Sequence, residues 1–166
     1  MGRLFLIVGP SGSGKDTLIK YSTRRIPGLK KVKRVITREN NEHEDFKSVN
    51  REEFSNNNFF TSWEAHGNKY GIPTLNNDNY ILNVSRKVIN KIKEKKPDTF
   101  VIELSADKEV LRKRLIERGR DSPEEITKRL NREIRINSDF IINTNNPDVS
   151  IAGEELVNYI KKKIIH

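Results

Sequence analysis

Cysteine is absent from the 166 residues, which removes both a disulfide framework and any thiolate-bound metal. Long apolar runs are missing as well: no stretch approaches the roughly 20 residues that a membrane-spanning helix needs. Aromatic residues are scarce, at 7% with a single tryptophan. They are not interleaved with the basic residues as base-stacking platforms would be. Acidic side chains are outnumbered by basic ones, 23 against 32, which leaves a formal charge of +9. That balance suits either nucleic acid or an enzyme whose substrates are all phosphorylated. The even spread of the basic residues and the missing platforms favour the second, so no nucleic-acid partner is expected. The lysine-rich stretches at 91–96 and 161–163 read as solvated helix faces. The length fits one domain around a single core.

What is present is concentrated near the start. An apolar run, Leu4-Phe5-Leu6-Ile7-Val8, breaks into Gly9-Pro10-Ser11-Gly12-Ser13-Gly14-Lys15, and a helical pattern follows. This is a phosphate-binding loop of the G-x-x-x-x-G-K type in its strand–loop–helix setting. Glycines let successive backbone N–H groups curl round an anion, the helix start adds its positive dipole end, and Lys15 adds a full charge. One letter departs from the pattern. Asp16 stands where a Ser or Thr hydroxyl would meet Mg²⁺. The chain is expected to bind a nucleoside triphosphate. Its N-terminus runs straight into the loop's strand, leaving no room for a signal peptide, and the expected location is the cytoplasm with no membrane association.

Further along, strands alternate with helices. Strands are expected at 3–8, 31–37, 80–84, 100–104 and 140–143, and helices at 14–25, 86–96, from Ser105 or Asp107 to Arg118, and 150–164. Ser122-Pro123-Glu124-Glu125 reads as a capping box opening one more helix, with Ile126, Leu130 and Ile134 as its apolar stripe. The alternation argues a parallel sheet with helices on both faces. Residues 38–79 are polar, yet Phe46, Phe54, Phe59, Phe60 and Trp63 give them something to bury, which fits a small inserted lobe.

Two arginine clusters stand out. Arg112, Arg114, Arg118, Arg120, Arg129 and Arg132 straddle the bend at 119–123. Arg114 and Arg118 are four apart and share a helix face. Hinged helices carrying inward arginines are how phosphoryl-transfer enzymes build a lid that neutralises charge and excludes water. Arg34 and Arg38, also four apart, would share one face of the strand at 31–37, at the strand end on the phosphate-loop side where α/β sheets bind ligands. Solvated helix charges and edge-strand charges are the plainer alternatives for the two clusters.

Gly9–Lys15, Ile36-Thr37-Arg38, Gly67-Asn68-Lys69-Tyr70-Gly71, Arg114-Leu115, Arg118-Gly119-Arg120 and Lys128-Arg129-Leu130 occur in the order found in guanylate-kinase-like enzymes. The chain resembles that superfamily along essentially its whole length. Within it, Gly14-Lys15-Asp16, the segment Ser62-Trp63-Glu64-Ala65-His66-Gly67, Leu82-Asn83-Val84-Ser85-Arg86 and Arg118-Gly119-Arg120-Asp121 are similar to the ribose 1,5-bisphosphate phosphokinases. The resemblance implies an α/β, three-layer P-loop kinase fold with a central parallel sheet, an inserted substrate-binding lobe and a helical lid. Its core would be 1–37, 80–111 and 136–166, its lobe 38–79 and its lid 112–135. It implies ATP and Mg²⁺ as cofactors and a small phosphorylated acceptor as partner, and leaves room for a homodimer.

Carried over by position, Gly9, Pro10, Ser11, Gly12, Ser13, Gly14, Lys15, Asp16 and Thr17 would bind the ATP phosphates. Asn145, or Asn143 beside it, would lie near the adenine. Lys15, Arg118 and Arg129 would be catalytic, with Asp16 on the metal. Arg34, Arg38, Tyr70, Ser85 and Arg86 would bind the acceptor, whereas His66 reads equally well as a surface residue. The serine, glutamate and aspartate with which guanylate kinases select guanine are replaced by Arg34, Ser62 and Ser85. Asn41 and Phe46 replace a phosphate-binding arginine and tyrosine. Losing buried acceptors removes much of the power to choose guanine. A nucleoside monophosphate kinase and a catalytically silent guanylate-kinase-like binding module remain as alternatives, the second having no need of Lys15 or the lid arginines.

Overall fold

The computed structural model describes residues 2–40, 45–131 and 136–165. Asn41, Arg132 and Ile134, noted above, lie outside them. Strand β1 (Leu4–Val8) is buried at all five positions, and its unbroken apolar spelling follows from its place. It is the middle strand of a five-stranded sheet in the order β2-β7-β1-β8-β9. The others are β2 (Leu29–Lys31), β7 (Asn79–Asn83), β8 (Phe100–Ser105) and β9 (Phe140–Asn143). Every pairing in this sheet is parallel, so both faces must be covered.

Alternate β1 side chains point to opposite faces. Phe5 and Ile7 pack with α1 (Lys15–Arg25) and α6 (Val149–Ile165) through Leu18, Ile19, Leu156, Val157 and Ile160. Leu4, Leu6 and Val8 pack on the other face with Val88, Ile89 and Ile92, the last two from α3 (Ile89–Lys95). These are the three expected layers. Gly153, inside α6, marks where α1 comes closest: a Cβ there would lie 2.6 Å from the Tyr21 ring. The helix expected at 86–96 starts as a 3₁₀ turn, Arg86–Val88, before α3.

The strand expected at 31–37 is two strands in two sheets. After β2 the Val32 N–H still donates to the Ile81 carbonyl at 3.0 Å, holding the chain to the core sheet's edge. The chain then leaves that edge, and β3 (Arg34–Ile36) joins a second sheet in the order β4-β3-β6-β5. That sheet comprises β4 (Phe46–Ser48), β5 (Phe59–Ala65) and β6 (Asn68–Pro73) besides β3, with the short helix α2 (Arg51–Ser55) between β4 and β5. The cause is apolar placement. Val32 buries in the main core, whereas Val35 and Ile36 bury in two separate clusters of the small sheet. The small sheet thus begins at Arg34, four residues before the expected boundary at 38. Arg38 lies beyond the end of β3, so it does not share a strand face with Arg34 as expected.

His66 and Gly67 both have positive φ, 52° and 76°, between the paired Ala65 and Asn68. This is the two-residue hairpin turn that such angles favour, and His66 is exposed there. Helix α4 (Lys108–Arg118) ends in the left-handed conformation at Gly119, φ 69°. Helix α5 (Pro123–Leu130) is capped by Ser122, whose hydroxyl accepts from the Glu125 N–H at 3.2 Å. Together they enclose a small core of Leu111, Leu115, Ile126 and Leu130.

Candidate active site

The loop between β1 and α1 takes the shape its glycines allow. Gly12 and Gly14 have φ of 84° and 95°, values that residues with a Cβ rarely adopt. Ser13, fully buried, donates its N–H to the Pro10 carbonyl at 3.1 Å, and the Lys15 ammonium donates to the Gly9 carbonyl at 2.7 Å. Lys15 is thereby drawn over the mouth of the loop. Burial pushes its pKa down to about 8; Asp16 opposes the shift, and the nearby cations Arg86, Arg34 and Arg118 deepen it. Cations from three other parts of the chain are thus near enough to Lys15 to act on it at this point.

That point opens into a cleft of about 1030 Å³. Among the described residues its lining carries the cations Lys15, Lys31, Arg34, Lys113, Arg114, Arg118, Arg120 and Arg129 against the carboxylates of Asp16, Asp45 and Asp121. Such an imbalance in a concave site focuses a positive field and favours a polyanion. The carboxylates are already engaged. Asp45 lies 3.3 Å from the Lys31 ammonium and 3.4 Å from that of Lys33, which hold it below the usual carboxylate range against the opposing effect of burial. Asp16 accepts from the Asn83 amide at 3.2 Å. Asp121, with a side chain only 6% exposed, lies between Arg118 at 3.3 Å and Arg129 at 3.4 Å.

The helical wall is already linked to the loop. Arg129 donates to the Ser11 hydroxyl at 2.7 Å. Arg114 donates to the Gly12 carbonyl at 3.1 Å and also to the Thr144 carbonyl. The Thr144 hydroxyl in turn donates to the Ser13 carbonyl at 2.7 Å. Asn145, in the same loop after β9, accepts from the Asp107 N–H at 2.8 Å and lines the cleft.

Of the residues singled out from the sequence, Ser11 to Thr17, Arg34, Arg118, Arg129 and Asn145 meet in this cleft. Gly9 and Pro10 form the loop's entry behind it. Arg86 is near enough to act on Lys15 without being part of the lining. The other three acceptor candidates are elsewhere. Tyr70 is buried, stacked on Trp63 with ring centroids 5.6 Å apart and packed with Ile36 and Phe46. The Arg38 guanidinium lies 4.9 Å from the centre of the Phe46 ring. Ser85 is exposed, its hydroxyl capping the 3₁₀ turn by accepting from the Lys87 N–H. Sequence reasoning placed Arg114 in the lid cluster without its partners on the loop, and passed over Asn83 and Asp121 as site residues, because their partners are distant in the chain or lie across a turn.

No protein-family model matches the chain. A curated relative from Pseudomonas fluorescens (strain SBW25), named ribose 1,5-bisphosphate phosphokinase PhnN, is 38% identical over 153 residues. The match covers 84% of this chain and 80% of the relative. Its namesake from Rhodopseudomonas palustris is 36% identical over 168 residues, covering 93% of this chain and 87% of that one. This chain belongs to the ribose 1,5-bisphosphate phosphokinase family. It is therefore a kinase, and the enzyme reading stands over the silent module. Among solved structures, guanylate kinase from Anaplasma phagocytophilum superposes with a TM-score of 0.67 at 21% identity. The superposition covers 99% of this chain and 87% of that one, and the guanylate-kinase-like fold is the one expected from the sequence. No helix among the described residues is long and apolar enough to cross a membrane.

Proposed function

We propose that this family member transfers the γ-phosphoryl group of ATP to ribose 1,5-bisphosphate, giving 5-phosphoribosyl 1-diphosphate and ADP. The observation that carries the choice of acceptor is the state of the cleft's carboxylates. Guanine presents N–H donors that need acceptors, and two of the cleft's carboxylates, Asp45 and Asp121, each lie against two cations already. At the positions where guanylate kinases select the base, the cleft offers the cation Arg34, and Ser85 brings a neutral hydroxyl in place of a carboxylate. A doubly phosphorylated sugar supplies the charge such a surface lacks, whereas a purine leaves its own donors without partners.

In this reading Lys15 and the loop's N–H groups hold the donor's terminal phosphates. Arg118 and Arg129 close on the group in flight. Arg34 and Arg86 hold the acceptor's phosphates. An oxygen of the acceptor's 1-phosphate bonds to the γ-phosphorus as the bond from that phosphorus to the ADP oxygen breaks. A phosphate acceptor is already anionic, so no side chain has to remove a proton, and catalysis rests on positioning and charge. The residues present also fit a magnesium ion. Among the described residues no three His, Asp or Glu side chains form a cage, and Mg²⁺ is ordinarily held by one or two carboxylates plus substrate phosphates. Asp16, oriented by Asn83, is the carboxylate that would hold it, and the ion would supply charge neutralisation at the phosphates.

Phosphorus NMR tests the reading. With ATP and ribose 1,5-bisphosphate the expected product carries a diphosphate at C1, seen as a coupled pair of resonances distinct from that of the co-product ADP. Release of inorganic phosphate with no such pair would mean that the acceptor is wrong.

A further inference from the structure

We propose that Asp121 is a positioning residue that sets both lid arginines for phosphoryl transfer, an inference that rests on the lid reading above. Asp121 follows the left-handed turn at Gly119 and precedes the Ser122 cap, so it sits at the elbow between the two helices. One carboxylate oxygen lies 3.3 Å from Arg118, at the end of the first helix. The other lies 3.4 Å from Arg129, on the second. The Asp121 side chain is only 6% exposed, whereas those of Arg118 and Arg129 are 29% and 43% exposed, so a shielded carboxylate holds two guanidiniums that still face the cleft's solvent. Arg129 uses a different nitrogen to reach the Ser11 hydroxyl of the phosphate loop at 2.7 Å. One carboxylate thus fixes where two guanidiniums point, and one of them already touches the loop.

The placement is costly for simple anion binding. A negative charge lining a cleft meant for polyphosphates repels them, so Asp121 weakens ground-state attraction. Its compensating effect is geometric. Two like charges must be held close together on the transferring group, and a shared counter-ion relieves their repulsion and orders their long side chains before substrate arrives. The elbow does not need the carboxylate for its shape, because Gly119 and Ser122 supply the turn and the cap.

Steady-state kinetics on Asp121→Asn, alone and combined with Arg118→Ala plus Arg129→Ala, tests the inference. The single change should lower kcat at least about tenfold while KM for ATP stays level or falls, because a repelling charge has gone. In the double-arginine background the same change should cost less than about twofold, since the groups it acts through are missing. Thermal unfolding of Asp121→Asn should remain within a few degrees of the parent. Losses that multiply independently, or a raised KM with kcat preserved, would show Asp121 to be a structural or ground-state residue and overturn the inference. The lid reading fails separately, and takes this inference with it, if the two arginine substitutions leave kcat unchanged.

Discussion

Lys15 is caught between two demands, and that conflict can be measured. It must be charged to hold phosphate, yet it is drawn towards the loop and crowded by Arg86, Arg34 and Arg118, so its pKa falls to about 8. Replacing it with alanine should nearly abolish phosphoryl transfer, a loss of several orders of magnitude, with the unfolding temperature little changed. For the free enzyme, kcat/KM should fall as pH rises through about 8. Bound polyphosphate favours the ammonium, so the same limb in kcat should lie at higher pH. The stability effect has the opposite sign. Between about 8 and the ordinary 10.5 the unfolded chain binds more protons at this side chain than the native one, so its contribution to stability rises with pH across that window. Coincident alkaline limbs for kcat and kcat/KM would contradict this account of the lysine. The loop and Lys15 were legible in the sequence because their chemistry is local, a few glycines and a cation in one run. Asn83 was not, since the Asp16 it orients is 67 residues away, and Arg114 meets Gly12 from 102 residues away.

The helices and strands were mostly readable from apolar periodicity, and the exceptions have a physical cause. A run such as residues 31–37 carries no local sign that Val32 will bury in one sheet's core and Val35 in another's. That handover is decided by partners far along the chain. For the same reason the neighbours of Arg38 and Tyr70 could not be read ahead: Tyr70 pairs across strands with Trp63 and Arg38 lies over Phe46. The interface between α1 and α6 gives a prediction of its own. Gly153→Ala gains helix propensity, worth about 1 kcal/mol on an exposed helix. Here the new methyl would meet the Tyr21 ring at 2.6 Å and disturb its 2.6 Å hydrogen bond to Glu154. Overpacking costs about 1–3 kcal/mol, so the expected net result is a loss of up to about 2 kcal/mol, and denaturant unfolding that showed a gain would refute it. On the lid, Arg118→Ala or Arg129→Ala should lower kcat more than it raises KM for ATP. An affinity loss at unchanged kcat would make these arginines ground-state binders.

Across the whole molecule the formal charge of +9 is partly gathered into one cleft between the parallel sheet, the small sheet and the helical elbow. The order of motifs along the chain foretold this gathering. Which cations would face the acceptor depended on the second sheet's pairing, and only Arg34 of the pair Arg34 and Arg38 lines the cleft. What the cleft accepts is decided by the ratio of kcat/KM for ribose 1,5-bisphosphate to that for GMP, measured by ADP release with saturating ATP and Mg²⁺. The expected ratio is at least about 100 in favour of the sugar bisphosphate, equivalent to roughly 2.7 kcal/mol of transition-state discrimination. GMP turnover equal to or faster than that of the sugar would contradict it.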